Sequence, residues 1–130
     1  MGPETTLPAD SPEFQATEVR RVVVYRLGYG EPRCSIQTAE AFDRWFESLE
    51  DRRAKARIQA RIDRAEDGNF GDCEPVGEGV SEMRIHRGPG YRVYFKPMGA
   101  EVIILLGGGD KSTQSSDIKF ALRLARRLGE

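Results

Sequence analysis

Histidine and cysteine are scarce in this chain, which contains one histidine, His86, and two cysteines, Cys34 and Cys73. The cysteines lie far apart and form no C-x-x-C pair, so the sequence indicates neither a disulfide framework nor a zinc ribbon. A metal site would need carboxylates around a single imidazole, and no spacing of acidic residues suggests one. We therefore expect a reduced, cytoplasmic protein that uses no metal and no cofactor.

Long apolar runs are also lacking. The longest, at residues 102–106, is much shorter than the roughly 20 residues that a membrane-spanning helix needs. The start of the chain has no basic segment followed by an apolar one, so no secretory signal is predicted. We expect no membrane partner.

Two familiar catalytic signatures are missing as well. The segment GGGDKST at residues 107–113 looks like a phosphate-binding loop, but Asp110 stands where that motif requires a glycine before the lysine. The chain also has no G-x-S-x-G nucleophile elbow. A nucleoside-triphosphate site and a hydrolase triad are therefore not expected.

The first 17 residues differ in composition from the rest of the chain. Pro3, Pro8 and Pro12 stand there among acids, threonines and small residues, with little apolar surface to offset the entropy of ordering. We predict a flexible N-terminal extension over residues 1–17. Residues 18–130 are of a size that suits one domain with one core.

Hydrophobic periodicity along that domain predicts an α+β fold in the order β-α-α-β-β-β-α. A β-branched run at residues 19–27 indicates the first strand. Apolar residues at three- and four-residue spacing indicate a helix capped by Thr38 and two more at about 51–67 and 113–128. The acidic, glycine-rich residues 66–82 are predicted to be a loop, and the three glycines at 107–109 to end the last strand.

The most informative stretch is MRIHRGPGYRVYFK, residues 83–96, which carries basic groups, the histidine and two tyrosines but no acid. Its residues alternate between apolar and polar on both sides of a Gly-Pro-Gly turn, which is typical of a β-hairpin with one buried face. The alternation assigns five residues to the polar face: Arg84, His86, Arg92, Tyr94 and Lys96. Such a cationic surface with an imidazole is suited to binding a polyanion.

A second basic feature lies on the helix predicted at residues 51–67. Arg53, Arg57, Arg61 and Arg64 recur at spacings of four, four and three, so they form one ridge beside the apolar face. The ridge has two interpretations, contact with phosphates or an ordinary solvated helix face.

Three segments together resemble a known family: FDRWFESLEDRRAKARIQARIDRAEDGNFGD, PVGEGVSEMRIHRGPGYRVYF and LLGGGDKSTQSSDIKFALRLA. They are similar to the addiction-module killer proteins, the Gp49-like, HigB-type branch of the RelE/ParE toxin superfamily. The resemblance covers residues 19–128 and implies a small curved antiparallel sheet backed by helices. It also implies a metal-independent endoribonuclease, the toxin of a type II toxin–antitoxin system, that cleaves messenger RNA on the ribosome and so inhibits translation.

The resemblance implies partners too. A helix-turn-helix, HigA-like antitoxin would silence the toxin, and operator DNA would be bound only through that antitoxin. Messenger RNA and the ribosome would be the targets.

Candidate catalytic residues follow from what metal-free RNA cleavage requires, namely proton transfer and stabilisation of charge on the phosphate. Arg84 and Arg92 offer paired donors to phosphate oxygens, and His86 is either the acid or base or an exposed strand residue. By resemblance, Arg92 matches a functional arginine of RelE-like toxins, and Lys111 lies where another basic catalytic group is found. The resemblance is incomplete, because residues 114–130 contain neither the tyrosine nor the histidine that many relatives place there.

Candidate RNA-binding residues are Arg57, Arg61, Arg87, Tyr94 and Lys96. For Tyr94 the sequence leaves base stacking and simple sheet packing open. Two other functions also remain open, a ParE-like inhibitor that binds DNA gyrase without catalysis and a phage-type protein that binds RNA without cleaving it.

Overall fold

A computed structural model of the protein describes residues 19–22 and 34–129. The predicted extension at residues 1–17 and residues 23–27 of the predicted first strand lie outside the described residues, and the proposed domain boundary stays a prediction. We number the elements in chain order: β1 Val19–Val22, β2 Ser35–Ala39, α1 Glu40–Ser48, α2 Arg52–Glu66, β3 Cys73–Gly77, β4 Val80–Ile85, β5 Tyr91–Pro97, β6 Val102–Gly109, a 3₁₀ turn Lys111–Thr113, and α3 Gln114–Leu128.

The strands form one sheet in the order β1-β2-β6-β5-β4-β3. Helices pack against it, so the predicted α+β class with a helix-backed sheet is confirmed. Four neighbouring pairs are antiparallel as expected, whereas β2 and β6 run parallel. Within the described residues, no helix is both long and apolar enough to cross a membrane.

Two strands were not predicted, β2 and β3. The β2 segment SIQTA is short and polar, and it includes Thr38, which is buried in the strand and does not cap a helix. Helix α1 begins at Glu40, one residue later than a cap at Thr38 would give. Ala39 at its N-cap position makes no side-chain cap bond. Pairing with neighbouring strands, which sequence periodicity does not report, keeps this segment extended.

The acidic stretch predicted to be a loop contains β3 and the beginning of β4, so that prediction was wrong in part. The two strands pair through Cys73 with Met83 and Glu74 with Glu82. Glu78 and Gly79 connect them, with φ angles of 51° and 83°. Two consecutive positive φ angles are typical of the tight turn that joins antiparallel strands.

The predicted second and third helices are confirmed as α2 and α3. Asp51 caps α2, because its side chain accepts hydrogen bonds from the backbone nitrogens of Arg53 and Ala54 at 3.0 and 3.1 Å. These bonds satisfy donors that a helix start otherwise leaves unpaired.

The sheet is covered on both faces. Helices α1 and α2 cover one face, where the core includes Phe42, Ile58, Met83, Val93 and Leu105. On the other face a second core includes Val80, Tyr94, Ile104, Leu106, Ala121 and Leu124. Because α3 covers this second face, part of the surface that the sequence predicted to be polar and open is buried.

The three glycines at residues 107–109 belong to β6 and do not end it. A Cβ atom on Gly108 would collide with the ring of Trp45, and one on Gly109 would collide with Asp117 and Thr113. Glycine is therefore required at these two positions by close approach of α1 and of the segment that begins α3.

Candidate functional site

The four predicted catalytic residues lie together around one cavity. The cavity has a volume of about 510 Å³, and its lining consists of Arg84, Ile85, His86, Arg87, Gly88, Pro89, Gly90, Tyr91, Arg92 and Lys111. Nine of these residues come from the end of the β4–β5 hairpin. Lys111 reaches the same place because its backbone nitrogen donates to the carbonyl oxygen of Pro89 at 3.3 Å, which docks the 3₁₀ turn on the hairpin.

The two arginines of the cavity are cross-strand partners. Arg84 on β4 faces Arg92 on β5 in the antiparallel register. Such neighbours lie close together, and two like charges in this position repel each other unless an anion lies between or beside them. The arrangement therefore needs a counter-charge, and a buried carboxylate supplies it.

That carboxylate is Glu82, which is only 2% exposed. Its Oε2 accepts from Nε of Arg84 at 3.2 Å, and its Oε1 lies 3.6 Å from Nε of Arg92. Gln114 at the start of α3 donates to both oxygens from Nε2, at 2.9 and 3.1 Å. The hydrogen bond that Arg84 donates to Glu82 raises the pKa of Arg84 above its ordinary value, so this guanidinium remains charged.

The two arginine side chains differ in exposure. The Arg84 side chain is 35% exposed and the Arg92 side chain is 13% exposed. Arg92 also donates from Nη1 to the carbonyl oxygen of Gly90 at 2.6 Å, which ties it to the turn of the hairpin. The sequence predicted Arg92 to lie on the polar face of its strand and to contribute to phosphate binding more than to packing. The structure adds a packing role, because Arg92 is mostly buried and is paired with Glu82.

His86 lies at the cavity edge and pairs with Asp72. Its Nε2 is 2.5 Å from Oδ2 of Asp72. The bond to His86, with smaller contributions from the charges of His86, Arg84 and Arg61, lowers the pKa of Asp72 below its ordinary value of 3.8. An ionised Asp72 accepts hydrogen bonds only, so Nε2 carries the hydrogen and Nδ1 is the nitrogen that can exchange a proton.

The remaining cations of the cavity are Lys111 and Arg87. Lys111 is exposed in a turn that Asp110 caps by accepting from the backbone nitrogen and hydroxyl of Ser112 at 2.8 and 2.6 Å. These bonds, led by the one from the Ser112 hydroxyl, lower the pKa of Asp110. Arg87 places its Nε 4.0 Å from Oδ2 of Asp51, the residue that caps α2.

Of the predicted RNA-binding residues, Arg87 lies in the cavity and the other four do not. Arg61 donates to the carbonyl oxygens of Arg84, Phe70 and Asp72 at 2.5, 3.1 and 3.2 Å, so its guanidinium links α2 to the sheet. Arg57 is exposed on α2. The Lys96 side chain lies beside Gly79 in the β3–β4 turn.

Tyr94 is fully buried beneath α3, at 0% exposure. Burial raises its pKa, and the neighbouring carboxylates of Glu82 and Asp117 raise it further, so the hydroxyl stays protonated. A side chain in this position has no surface on which a base can stack. Of the two interpretations left open by the sequence, sheet packing is the one that the structure supports.

Sequence reasoning missed Glu82 and Asp72. Both lie in the acidic stretch 66–82, which was predicted to be a loop that precedes the hairpin. A signal for Glu82 does exist, because Glu82 and Arg84 alternate on one face of β4 and His86 continues the alternation just after the strand ends. No comparable pattern marks Asp72, which comes close to His86 only through the pairing of β3 with β4.

Among residues 19–22 and 34–129, no group of three or more histidine, cysteine, aspartate and glutamate side chains is placed to hold a metal ion.

Comparison with known proteins identifies the family to which this chain is similar. The sequence model for the family described as phage derived protein Gp49-like (DUF891) matches residues 44–128, a range that contains the whole cavity lining. A protein of Haemophilus influenzae, named only as an uncharacterized protein, is 53% identical over 94 residues, which cover 72% of this chain and 95% of that protein. No solved structure matches the chain.

Proposed function

The chain belongs to the phage-derived Gp49-like family, which is related to toxin–antitoxin systems, and from this premise we propose that it is an endoribonuclease toxin of a type II system. It cleaves messenger RNA on the ribosome in the cytoplasm and thereby inhibits translation. The cleavage uses side chains of the protein and does not depend on a metal.

One observation carries this proposal. Arg84, His86, Arg92 and Lys111 come from two segments of the chain and line the same cavity. Guanidinium and ammonium groups favour a phosphate, and an imidazole held by a carboxylate favours proton transfer. Binding alone requires only the positive charge, whereas the oriented His86–Asp72 pair supplies what cleavage needs in addition.

The reaction assigns a role to each group. The ribose 2′-oxygen loses its proton and bonds to phosphorus, the bond from phosphorus to the 5′-oxygen breaks, and that oxygen takes up a proton. Arg84 and Arg92 bind the non-bridging phosphate oxygens, and Lys111 neutralises the charge that develops. His86 takes part through Nδ1 in one of these two proton transfers. General acid–base catalysis of this kind contributes roughly 10² to 10⁴ in rate.

An antitoxin is the partner that this function requires. We expect a helix-turn-helix, HigA-like protein that covers the cationic cavity or packs against the helices beside it, and that alone contacts operator DNA. Complementary charge would accelerate association, so the association rate should fall as salt is added. An association rate that does not change with salt, in a complex that leaves Arg84 and Arg92 accessible, would contradict this arrangement.

The test is induction of the chain without an antitoxin, followed by primer extension on cellular messenger RNA and pulse labelling of protein and DNA synthesis. We expect new 5′ ends within reading frames and a fall in translation before replication. The matched variants are Arg92→Lys, which should weaken cleavage, and Arg123→Lys on the exposed side of α3, which should leave it unchanged. If DNA synthesis falls first and no new 5′ ends arise, gyrase inhibition replaces the proposal. If translation falls without new 5′ ends, RNA binding without cleavage replaces it.

A further inference from the structure

Glu82 is a charged group whose burial costs free energy. A carboxylate that is 2% exposed loses nearly all of its hydration, and such a loss is tolerated only when charged or hydrogen-bonding partners replace the water. Glu82 has three such partners, Arg84, Arg92 and Gln114. Two of them are the arginines assigned to the phosphate, so the buried charge is connected directly to the cavity.

The geometry of these contacts leaves the arginines usable. Glu82 lies against the Nε atoms of Arg84 and Arg92, at 3.2 and 3.6 Å. A guanidinium has five N–H donors, so contacts at Nε restrain each side chain while terminal donors remain for another anion. The amide of Gln114 contacts both carboxylate oxygens and so restrains Glu82 in turn.

We propose that Glu82 is a positioning residue that orients Arg84 and Arg92 towards the scissile phosphate and, at the same time, limits the net positive charge of the cavity. The inference rests on the proposed function. It predicts that Glu82 has opposite effects on RNA binding and on RNA cleavage. Loss of the carboxylate leaves the positive charge of the arginines unneutralised, which favours binding of any RNA backbone. It also releases the arginines from the orientation that cleavage requires.

The decisive variant is Glu82→Gln, which keeps the shape of the side chain and removes its charge. Binding is measured with a single-stranded 2′-O-methyl RNA oligonucleotide, which lacks the 2′-hydroxyl nucleophile, at several salt concentrations. Cleavage is measured in single-turnover reactions on programmed ribosomes. Thermal melting of each protein shows whether it is folded.

We expect Glu82→Gln to bind the oligonucleotide at least as tightly as the wild type and with a steeper salt dependence. One additional phosphate contact increases the slope of log K against log salt by about 0.7 for a single strand. Cleavage should fall by about 10²-fold, the loss that accompanies a misplacement of roughly 1 Å at a reacting centre. A purely structural role would not steepen the salt dependence while slowing cleavage.

The matched control is Glu78→Gln in the β3–β4 turn. Glu78 also pairs with an arginine, Arg126, at 2.5 Å, but on the surface and outside the cavity lining. This variant should leave the salt slope and the cleavage rate unchanged. If it reproduces the effects of Glu82→Gln, those effects belong to net charge alone and the inference is wrong.

A second variant keeps the inference testable if Glu82→Gln does not fold. The exchange Glu82→Gln with Gln114→Glu retains one carboxylate and one amide in contact, but moves the charge from β4 to α3. We expect a folded protein with the same slow cleavage. Cleavage at the wild-type rate in either folded variant would overturn the inference, because the arginines would then need no anion at residue 82.

Failure of the proposed function gives a different result. If the wild-type protein cleaves no messenger RNA, the enzymatic proposal is lost, and the binding measurements alone decide the role of Glu82. A steeper salt slope in Glu82→Gln would still support the restraint on cavity charge. An unchanged or shallower slope, or no RNA binding by either protein, would overturn it.

Discussion

Two neighbouring cross-strand pairs on the same face of the β4–β5 hairpin have different environments. The outer pair, Arg84 and Arg92, is 35% and 13% exposed and lines the cavity. The inner pair, Glu82 and Tyr94, lies two residues further from the turn on each strand. These residues are 2% and 0% exposed. The difference arises because α3 covers the inner pair and begins at Gln114, whose amide lies on Glu82. The start of one helix therefore separates the cavity from the core.

Tyr94 provides the largest expected effect, on the buried side of this comparison. Tyr94→Ala removes a fully buried aromatic ring and leaves a cavity under α3. The free energy of unfolding should fall by about 3–5 kcal/mol, as for other buried aromatic truncations. Urea denaturation followed by the fluorescence of Trp45, the single tryptophan, measures it.

Tyr94→Phe is the matched control. The Tyr94 hydroxyl is buried and makes no hydrogen bond of ordinary geometry to the described part of the chain. Its removal should therefore change the free energy of unfolding by less than about 1 kcal/mol. A loss as large as that of Tyr94→Ala would mean that the hydroxyl, and not the ring, holds the inner pair.

Arg92 provides the next effect, on the cavity side. Arg92→Ala should slow cleavage by about 10² to 10³, the usual loss when one charge-stabilising donor is removed. It should also lower the melting temperature, because Glu82 loses one of its buried partners. Single-turnover cleavage on programmed ribosomes and thermal melting measure the two effects separately.

Arg92→Lys separates the two roles more cleanly. Lysine keeps the positive charge that Glu82 requires but lacks the planar fork that binds two phosphate oxygens. We expect a melting temperature close to that of the wild type and an intermediate cleavage rate. Cleavage at the wild-type rate would mean that Arg92 acts only through long-range electrostatic attraction. Direct contact with the phosphate would then be assigned to Arg84 and Lys111.

The smallest effect concerns Asp72 and acid pH. The pKa of Asp72 is lowered below 3.8 in the folded protein, chiefly by its bond to His86. Its contribution to stability is therefore present above pH 3.8 and is lost as the pH falls through the lowered pKa. Asp72→Asn should be less stable than the wild type at neutral pH, and the two melting temperatures should converge in acid. If the two melting temperatures change with pH in parallel, the Asp72–His86 pair contributes nothing to stability.

Much of this architecture was predictable from local pattern. The periodicity of apolar residues located α2 and α3, and the alternation around Gly88–Gly90 located the hairpin. The four candidate catalytic residues share one cavity because three of them lie within nine residues of a single hairpin. Lys111 was assigned by resemblance, and it lines the same cavity because its turn docks on Pro89.

What the sequence by itself determined is the side of the sheet to which each hairpin residue points, because a strand alternates with a period of two and that period is local. Only the tertiary structure decided which of those side chains meet water. Tyr94 is buried by a helix that begins 20 residues later, and Glu82 is held by an amide 32 residues away. Arg61 is likewise turned from a candidate RNA contact into a link between α2 and the sheet by carbonyl groups that follow it in the chain. Burial and charge pairing depend on distance in space, and periodicity along the chain carries no record of that distance.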